Sequence, residues 1–407
     1  MKNIVKKYYN ILCVLPILIT CTSCMSDIIE VLDKEKYANI YIPQANQTPK
    51  LESLFMRDDD QILSFGVFYG GVDDPQDNIE VTVDFAINMV ANFNAEHGTE
   101  YEPMPEGSYS LENNTALITS GQPNSSLLKI KIKTIGYIDG FKPYLLPVQI
   151  KSVSNGSNLH PQKSVVYFLI AGSFEPGNIP ADQVFELQDN DVRSIFDYHG
   201  NIMTQSASGI IRLYPYLDDL QSFGSGTIIN TGWDVFDLVL PFLDRWIVRW
   251  GSWTGGNNGF LNSYPVSHDG AISPAVPGWY GGGFEVFDLI IPYQGSLLCR
   301  FPSGIMNRYP ISPTYLFGGM TTLSVDGWQS YKQIIPYKNT LLCIDEIGDL
   351  WEFPVTADGI VSPRRRVGSG WDMYKKIVAF GDDLLAIDNE NKVFKYKFNP
   401  IGFWALK

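Results

Sequence analysis

A five-residue stretch near the C-terminus, Gly-Trp-Asp-Met-Tyr at residues 370–374, opens a pattern that recurs through the second half of the chain. It is followed by an apolar run at residues 377–380 and by another at 384–387. The same order returns three times, with the aromatic anchor at Trp328, Phe284 and Trp233 and intervals of 43, 44 and 51 residues. A fixed period of this length indicates a repeat architecture.

A fifth repeat precedes these four. Asp189 stands one interval before Trp233, and residues 195–203 fit the template without its tryptophan. The longest interval is explained by an inserted glycine-rich loop at residues 251–259. An aromatic residue also lies near the third apolar run of each repeat, at Tyr214, Tyr264, Tyr309, Phe353 and Tyr396.

Short apolar runs separated by Gly, Asp, Asn and Pro predict a small antiparallel sheet in each repeat. One such sheet cannot bury both faces, whereas five arranged radially bury each face against the next. Residues 183–407 therefore predict a five-bladed β-propeller, because a leucine-rich solenoid has shorter units and helical repeats show a period near 3.6 residues. We expect the two ends of this region, the second one including Phe403 and Trp404, to meet in one sheet.

The N-terminus has the pattern of a bacterial lipoprotein signal. Lysines within the first seven residues precede a short apolar run at residues 11–19, and small residues stand before Cys24. We predict a signal peptide at residues 1–23, lipidation of Cys24 and a tether at 24–35. Cys21 is the alternative acceptor, and an ordinary secretory signal is the alternative to both. The acidic residues Asp27 and Glu30 resemble a surface-export tract, which favours the outer face of the outer membrane.

Composition and charge limit the classes of partner. The chain of 407 residues is 45% hydrophobic and 13% aromatic, enough for packed cores in more than one domain. Its formal net charge of −14 argues against binding nucleic acid or anionic lipid surfaces, since phosphates would be repelled. Abundant Tyr, Trp, Asn and Gly suit neutral polar ligands.

No motif in the sequence predicts catalysis or a cofactor. The four histidines are scattered without metal-ligand spacing, and the sequence lacks nucleophile-elbow, zinc-protease and phosphate-loop motifs. Carboxylate pairs that meet only in three dimensions stay open. Cys299 and Cys343 are one repeat apart, equivalent to Val248 and Ala386, so small buried thiols are favoured over a disulfide or a metal pair. We predict a protein that is not an enzyme.

Residues 36–173 form a separate unit without the repeat, joined to it by a linker at 174–182 with two prolines and a glycine. One short helix is predicted at Met89 to His97. The predicted strands are Tyr37 to Pro43, Leu63 to Gly70, Ile79 to Ile87, Ala116 to Thr119, Leu127 to Ile135, Tyr144 to Lys151 and Ser164 to Ala171. Short strands joined by turns, with alternating Lys and Ile at residues 129–133, predict an immunoglobulin-like β-sandwich.

Both units resemble known families. Residues 65–71, 93–101, 104–111, 120–122 and 144–148 resemble the N-terminal sandwich domain of Bacteroides-type surface lipoproteins, some of which carry endoglycosidase or glycan-binding modules. The repeats resemble tachylectin, a five-bladed propeller lectin for N-acetylated hexosamines, and residues 368–374 are the most similar copy of its Gly-x-Gly-Gly-Trp-x-x-Phe unit. The chain departs from that unit in having Ser-Gly for Gly-Gly, Phe284 or Asp189 as anchors, and the insertion at 251–259.

The tachylectin resemblance and the composition together predict sugar binding. Sugars need an aromatic face and neighbouring polar groups. The candidate residues are Trp233 with Asp234, Trp328 with Gln329, Trp371 with Asp372, and Trp253 in the inserted loop. The alternative for the three anchor tryptophans is packing between blades, whereas no repeat needs Trp253 for packing.

The predicted function is a surface glycan-binding lipoprotein, with an oligosaccharide or glycoconjugate as ligand, a membrane lipid anchor, and a neighbouring glycan uptake complex as a further partner. The alternative is a non-catalytic interaction or adhesin propeller without a sugar site.

Overall fold

The structure is a computed structural model that describes residues 38–154, 156–251, 259–273, 278–312, 314, 316–324, 327–356, 359 and 361–407. The chain divides into two compact units. The first contains the described residues of 1–52, 57–138 and 144–170, and the second contains those of 53–56, 139–143 and 171–407. The predicted signal peptide, the tether, Cys24, Cys21 and Trp253 lie outside the described residues.

The first unit is mostly β-structure with one short helix, α1 (Val90–His97). Its described strands are β1 (Asn39–Tyr41), β2 (Lys50–Phe55), β3 (Gln61–Phe65), β4 (Phe68–Gly70), β5 (Ile79–Phe85), β6 (Glu102–Pro103), β7 (Tyr109–Leu111), β8 (Thr115–Ile118), β9 (Leu128–Ile132), β10 (Pro143–Val153), β11 (Asn158–Leu159) and β12 (Val165–Ser173).

These strands form three sheets. The largest has the order β2-β12-β10-β5-β8 with β6 beside β10, and the others have the orders β11-β1-β4 and β3-β9-β7. Strand β9 shows why the sheets are two-faced, because Ile130 and Ile132 are buried while Lys129 points to solvent. Phe65 of β3 meets Phe168 of β12 at a ring distance of 5.9 Å, so two of the sheets share a core.

The predicted strands of this unit are found with shifted ends. The predicted Leu63 to Gly70 strand is interrupted after Phe65, giving β3 and β4 in different sheets. Strands β2, β6, β7 and β11 were not predicted, since all but β2 are only two or three residues long and carry little periodic signal. The predicted helix is observed one residue shorter.

The described residues of the second unit form five sheets of four or five strands. Their described strands are, for the first sheet, β14 (Val192–Tyr198), β15 (Asn201–Ser206), β16 (Ile211–Tyr214) and β19 (Thr227–Asn230); for the second, β20 (Phe236–Phe242), β21 (Arg245–Trp250), β22 (Leu261–Pro265) and β23 (Gly278–Gly281); for the third, β24 (Leu289–Tyr293), β25 (Ser296–Arg300), β26 (Met306–Pro310) and β27 (Thr321–Ser324).

The remaining described strands complete the fourth and fifth sheets and a small hairpin. They are, for the fourth sheet, β28 (Tyr331–Tyr337), β29 (Thr340–Asp345), β30 (Leu350–Pro354), β31 (Arg365–Ser369) and β35 (Trp404–Ala405); for the fifth, β13 (Asp182–Glu186), β32 (Lys376–Phe380), β33 (Asp383–Ile387) and β34 (Lys392–Lys397); and, for the hairpin, β17 (Tyr216–Leu217) and β18 (Ser222–Phe223).

Four of the five sheets show the equivalent register directly. Val248, Cys299, Cys343 and Ala386 pair with Val239, Ile290, Ile334 and Ile377 of the preceding strand, one pair in each of four sheets. Cys299 and Cys343 are free and fully buried, which confirms the prediction of small buried thiols. Burial raises the pKa of the Cys299 thiol to about 12.

The first strands of the five sheets, here called the inner strands (β14, β20, β24, β28 and β32), contact one another in a closed cycle, with β32 returning to β14. Each successive pair of sheets shares one hydrophobic core, and the fifth sheet shares one with the first. Every sheet therefore buries both of its faces against its neighbours.

The two ends of the region meet in the fifth sheet, as predicted. Asp182 of β13 pairs with Lys395 of β34, and Glu186 pairs with Lys392. Trp404 behaves differently from the prediction, since it pairs in parallel with Gly368 of the fourth sheet. Its indole is fully buried and its Nε1 donates to the Asn399 carbonyl oxygen at 2.6 Å, so the terminal segment caps the fourth sheet's edge.

Candidate functional site

Two of the three anchor tryptophans lie in short 3-10 turns that precede the inner strands, and Trp233 precedes an ordinary turn before β20. Trp328 and Trp371 begin such turns, and each follows a glycine, Gly327 or Gly370, with φ of 92° or 78°. That left-handed conformation favours glycine, which explains why Gly-Trp recurs in the repeats. Phe284 occupies the same place after Gly283.

Each anchor is tied to the preceding sheet through its backbone. The N–H groups of Trp233 and Trp371 donate to the carbonyl oxygens of Gly209 and Gly348 at 3.0 Å in both cases. Trp328 is held through its carbonyl oxygen, which accepts a hydrogen bond from the Arg300 guanidinium of the preceding sheet at 2.8 Å. These hydrogen bonds thus connect each anchor to the sheet before its own.

The rings of the three anchor tryptophans are buried, as the alternative of packing between blades predicts. Trp233 is 6% exposed, Trp328 is 4% exposed and Trp371 is fully buried. Their faces meet other rings; Trp328, for example, lies 5.0 Å from Phe353. A sugar could stack on these three rings only if the core opened, so the structure corrects the expectation that they present an open face.

The polar residues beside the anchors are exposed but are not brought together. Asp234, Gln329 and Asp372 belong to three different sheets and lie next to three different buried rings. Asp372 accepts from Lys407 Nζ at 3.4 Å. Trp253, the remaining candidate, lies outside the described residues.

The described residues of the second unit form a cavity of about 440 Å³ lined by all five inner strands. Its walls are largely apolar. Leu238 and Leu289 face it from the second and third sheets, and Pro241, Pro292 and Pro336 line it near the ends of three inner strands. A volume in this range with apolar walls and few polar groups is typical of small-molecule sites.

The polar groups of the cavity are concentrated at the beginnings of the inner strands. Arg193, Lys332 and Lys375 are exposed at this end, and Lys376 and Gln333 lie one step further along their strands and are partly buried. Gln333 Oε1 accepts the Ile377 N–H at 2.8 Å, which fixes the amide between two sheets. Lys376 Nζ donates to the Arg193 carbonyl oxygen at 3.2 Å.

The opposite end carries the cavity's carboxylate, Asp197. It stands four residues after Arg193, which is about 13 Å along an extended strand. Burial raises the pKa of Asp197. The backbone N–H groups of Gly200 and Gly381 act in the opposite direction and lower it. The Gly200 N–H donates to Asp197 Oδ1 at 2.9 Å. The cavity is therefore cationic at one end and weakly acidic at the other.

The sequence analysis did not identify this cavity. A change from apolar to polar residues at one position of the repeat could have indicated it. Leu238 and Leu289 occupy this position in two sheets, and Gln333 and Lys376 occupy it in the next two. A lysine in place of leucine within an apolar strand indicates a polar interior, but only the closed cycle shows that these positions face one space.

The described residues lack a metal-ligand cluster and a membrane-spanning helix. They contain no group of three or more His, Cys, Asp or Glu placed to hold a metal ion. In the same described ranges, no helix is long and apolar enough to cross a membrane.

The chain was compared with a family model, with curated proteins and with solved structures; the family model concerns the first unit. A family model described as an N-terminal domain matches residues 34–157, a range that contains β1 to β10. No curated protein matches the chain.

Several solved structures are similar at low identity. One from Bacteroides ovatus, named for carbohydrate binding, is 10% identical with 88% of this chain and 95% of that chain covered and a TM-score of 0.31. A Bacteroides ovatus protein of unknown function is 12% identical, with coverages of 82% and 90% and a TM-score of 0.30. Bacteroides thetaiotamicron EndoBT-3987 with Man5GlcNAc product is 12% identical, with coverages of 41% and 46% and a TM-score of 0.29. At TM-scores this low, these likenesses support no inference about fold or function.

Proposed function

We propose that this chain is a non-catalytic, glycan-binding surface lipoprotein whose second unit is a five-bladed β-propeller and whose first unit is an immunoglobulin-like sandwich. The closed cycle of inner strands and the five cores shared by successive sheets support the propeller. The shared core of β3 and β12 supports the sandwich.

The observation that carries the binding proposal is the cavity of about 440 Å³ lined by all five inner strands. Its leucine and proline walls suit the C–H faces of a sugar ring, and Gln333, Lys376 and Arg193 supply donors for hydroxyl groups at one end. Carbohydrate is also the ligand named for one Bacteroides ovatus structure, at a similarity too low to carry the proposal.

This site changes the expected stoichiometry. Shallow sites at the anchors would give several per chain and gain by avidity, whereas one cavity shared by five sheets binds one ligand. We expect one saccharide of one or two rings per chain, with the inserted-loop Trp253 as a separate, second candidate contact.

The test is calorimetry on the full chain with glycans selected from an array. Leu289→Trp narrows the cavity, and Ile228→Trp, the same change at a half-exposed outer-strand position, is the matched control. We expect one site in the wild type and control, and at least a tenfold weaker affinity in Leu289→Trp. Unchanged affinity in Leu289→Trp together with loss in Trp253→Ala would move the site to the inserted loop. If no glycan binds, the interaction or adhesin alternative replaces the lectin proposal.

Attachment to the outer membrane is proposed from the lipoprotein pattern at Cys24, with a neighbouring glycan uptake complex as partner. Cys24→Ser should release the protein from the membrane fraction and abolish labelling with palmitate. A Cys24→Ser product that stays labelled and membrane-bound would assign the lipid to Cys21.

A further inference from the structure

The cavity of the second unit is cationic in a strongly acidic protein. Of its lining residues, Arg193, Lys332, Lys375 and Lys376 are basic and only Asp197 is acidic, while the chain carries a formal net charge of −14. A local excess of one charge at a concave site concentrates ligands of the opposite charge.

The basic residues of the cavity differ from other arginines of the same unit in lacking acidic partners. Arg249 is paired with Asp237 at 2.8 Å and Arg300 with Asp288 at 2.9 Å. Within the described residues, none of the four basic residues of the cavity forms a salt bridge with a carboxylate. Their hydrogen bonds go to neutral oxygens; Lys332 Nζ, for example, donates to the Glu346 carbonyl oxygen at 2.9 Å.

Lys376 is the innermost of the four. Its hydrogen bond in the structure goes to the Arg193 carbonyl oxygen, so one of the three N–H donors of its ammonium group is used. Burial lowers the pKa of Lys376, because the charged amine has lost water without gaining a carboxylate. A buried charge is costly unless it is paired.

We infer that the cavity selects saccharides that carry a carboxylate, such as uronic acids, and that Lys376 is the residue that determines this selectivity. The inference rests on the proposed sugar site and names the class of its ligand. The two free N–H donors of Lys376 bind the carboxylate, Lys375 and Arg193 add to the positive potential, and the uncharged part of the ring lies against Leu238 and Leu289. Asp197 stands four residues after Arg193, about 13 Å along the strand towards the opposite end of the cavity, so it does not oppose this placement.

The test compares sugars that differ only in the carboxylate: glucuronate with glucose, and galacturonate with galactose. Binding to the full chain is measured by ligand-observed NMR and calorimetry for the wild type, for Lys376→Met, and for Lys376→Arg, which keeps the charge. Lys397→Met, at an exposed lysine that ends β34, is the matched control. Thermal unfolding checks that each variant is folded.

We expect the wild type and Lys397→Met to prefer the acidic sugar of each pair by at least tenfold. Lys376→Met should reduce that preference to below threefold, because the acidic sugar loses its charged partner whereas the neutral sugar loses one hydrogen-bond donor, and Lys376→Arg should retain part of it. Equal binding of acidic and neutral sugars by the wild type overturns the inference but leaves the proposed function standing. The inference also fails if folded Lys376→Met keeps its preference. Absence of all sugar binding removes the inference and the proposed function together.

Discussion

The anchor residue Trp371 connects successive sheets through its burial and its hydrogen bonds. Trp371 is fully buried, its Nε1 donates to the Trp404 carbonyl oxygen at 2.9 Å, and its backbone N–H is bound by Gly348 of the preceding sheet. Gly348 is required at that contact for two reasons. A Cβ at this position would lie 2.3 Å from Asp372 Oδ1, and the φ of Gly348 is 85°, which favours glycine. Trp371 and the glycine that contacts it are therefore explained by packing and backbone geometry rather than by an exposed binding face.

Trp371→Ala should accordingly lower the free energy of unfolding by about 3–5 kcal/mol, because it leaves a large cavity in the core between the fourth and fifth sheets. Met373→Ala, a nearby position that is 43% exposed, is the control and should change stability by less than about 1 kcal/mol. Chemical denaturation followed by near-ultraviolet circular dichroism measures both. Equal, small effects of the two changes would mean that the indole is not a packing residue.

Lys376 gives a pH-dependent prediction. Its pKa is lowered in the folded state, so between the folded and the ordinary lysine value the unfolded chain binds more protons, and stability rises with pH there. Below the folded pKa the cost of the buried charge is fully present. The charged groups around it in the cavity are Arg193, Lys332, Lys375 and Asp197.

Lys376→Met should therefore increase the free energy of unfolding by about 1 kcal/mol at neutral pH, and this gain should shrink as pH approaches about 10.4, the ordinary lysine value. Urea denaturation at a series of pH values measures the difference. Lys397→Met, at an exposed position, should show no such trend. A gain for Lys376→Met that is constant with pH would contradict a desolvated amine.

In all five sheets, the turns between the first two strands share one backbone feature. The first residue of the two-residue turn has a positive φ in every case: 52° at His199, 55° at Leu243, 44° at Gln294, 50° at Lys338 and 58° at Gly381. Turns of this geometry match the twist of the paired strands, and they favour Gly, Asn or Asp. The register of the sheets is thus set by the turn conformation even where the side chain is unfavourable.

Leu243 is the least suited of these residues, since it is also 62% exposed. Leu243→Gly should raise the free energy of unfolding by about 0.5–1 kcal/mol, because relief of the left-handed strain of about 1–2 kcal/mol outweighs the flexibility that glycine adds to the unfolded chain. Leu220→Gly is the control, at a 68% exposed leucine inside a 3-10 turn, and should be neutral or destabilising. Thermal unfolding compares the two, and a destabilised Leu243→Gly would refute the strain argument.

The sequence predicted elements better than it predicted the site, for a physical reason. Repetition marks equivalent positions, so the equivalence of Cys299 and Cys343 and the joining of the two ends followed from spacing alone. The side that an anchor ring faces depends on contacts with the next sheet, which spacing does not contain. Lys376 and Gln333 were missed because each is a single polar residue in an apolar run, and only the cyclic contacts of the inner strands give them a common cavity.

At the scale of the second unit, the ring of sheets is closed by a strand from the other end of the region. Strand β13 pairs with β34, although about two hundred residues separate them in sequence, and Val184 of β13 lies in the core shared by the fifth and first sheets. Because Val184 packs in the core that the fifth and first sheets share, the loss of this strand would expose part of that core. Closure should therefore contribute to the stability of the whole unit rather than of one sheet.

Val184→Asp tests this closure by placing a carboxylate in that core. The buried, unpaired charge should lower the free energy of unfolding by at least about 3 kcal/mol, and the transition should stay a single one if the sheets unfold together. Val286→Asp, the same change at a residue that is 46% exposed in the turn before β24, is the matched control and should change stability by less than about 1 kcal/mol. Urea denaturation followed by tryptophan fluorescence reports on the anchors Trp233, Trp328 and Trp371 in three sheets at once. The closure argument fails if the main unfolding transition of Val184→Asp has the same urea midpoint as that of Val286→Asp. In that case β13 is an accessory edge strand, and the five sheets hold together without it.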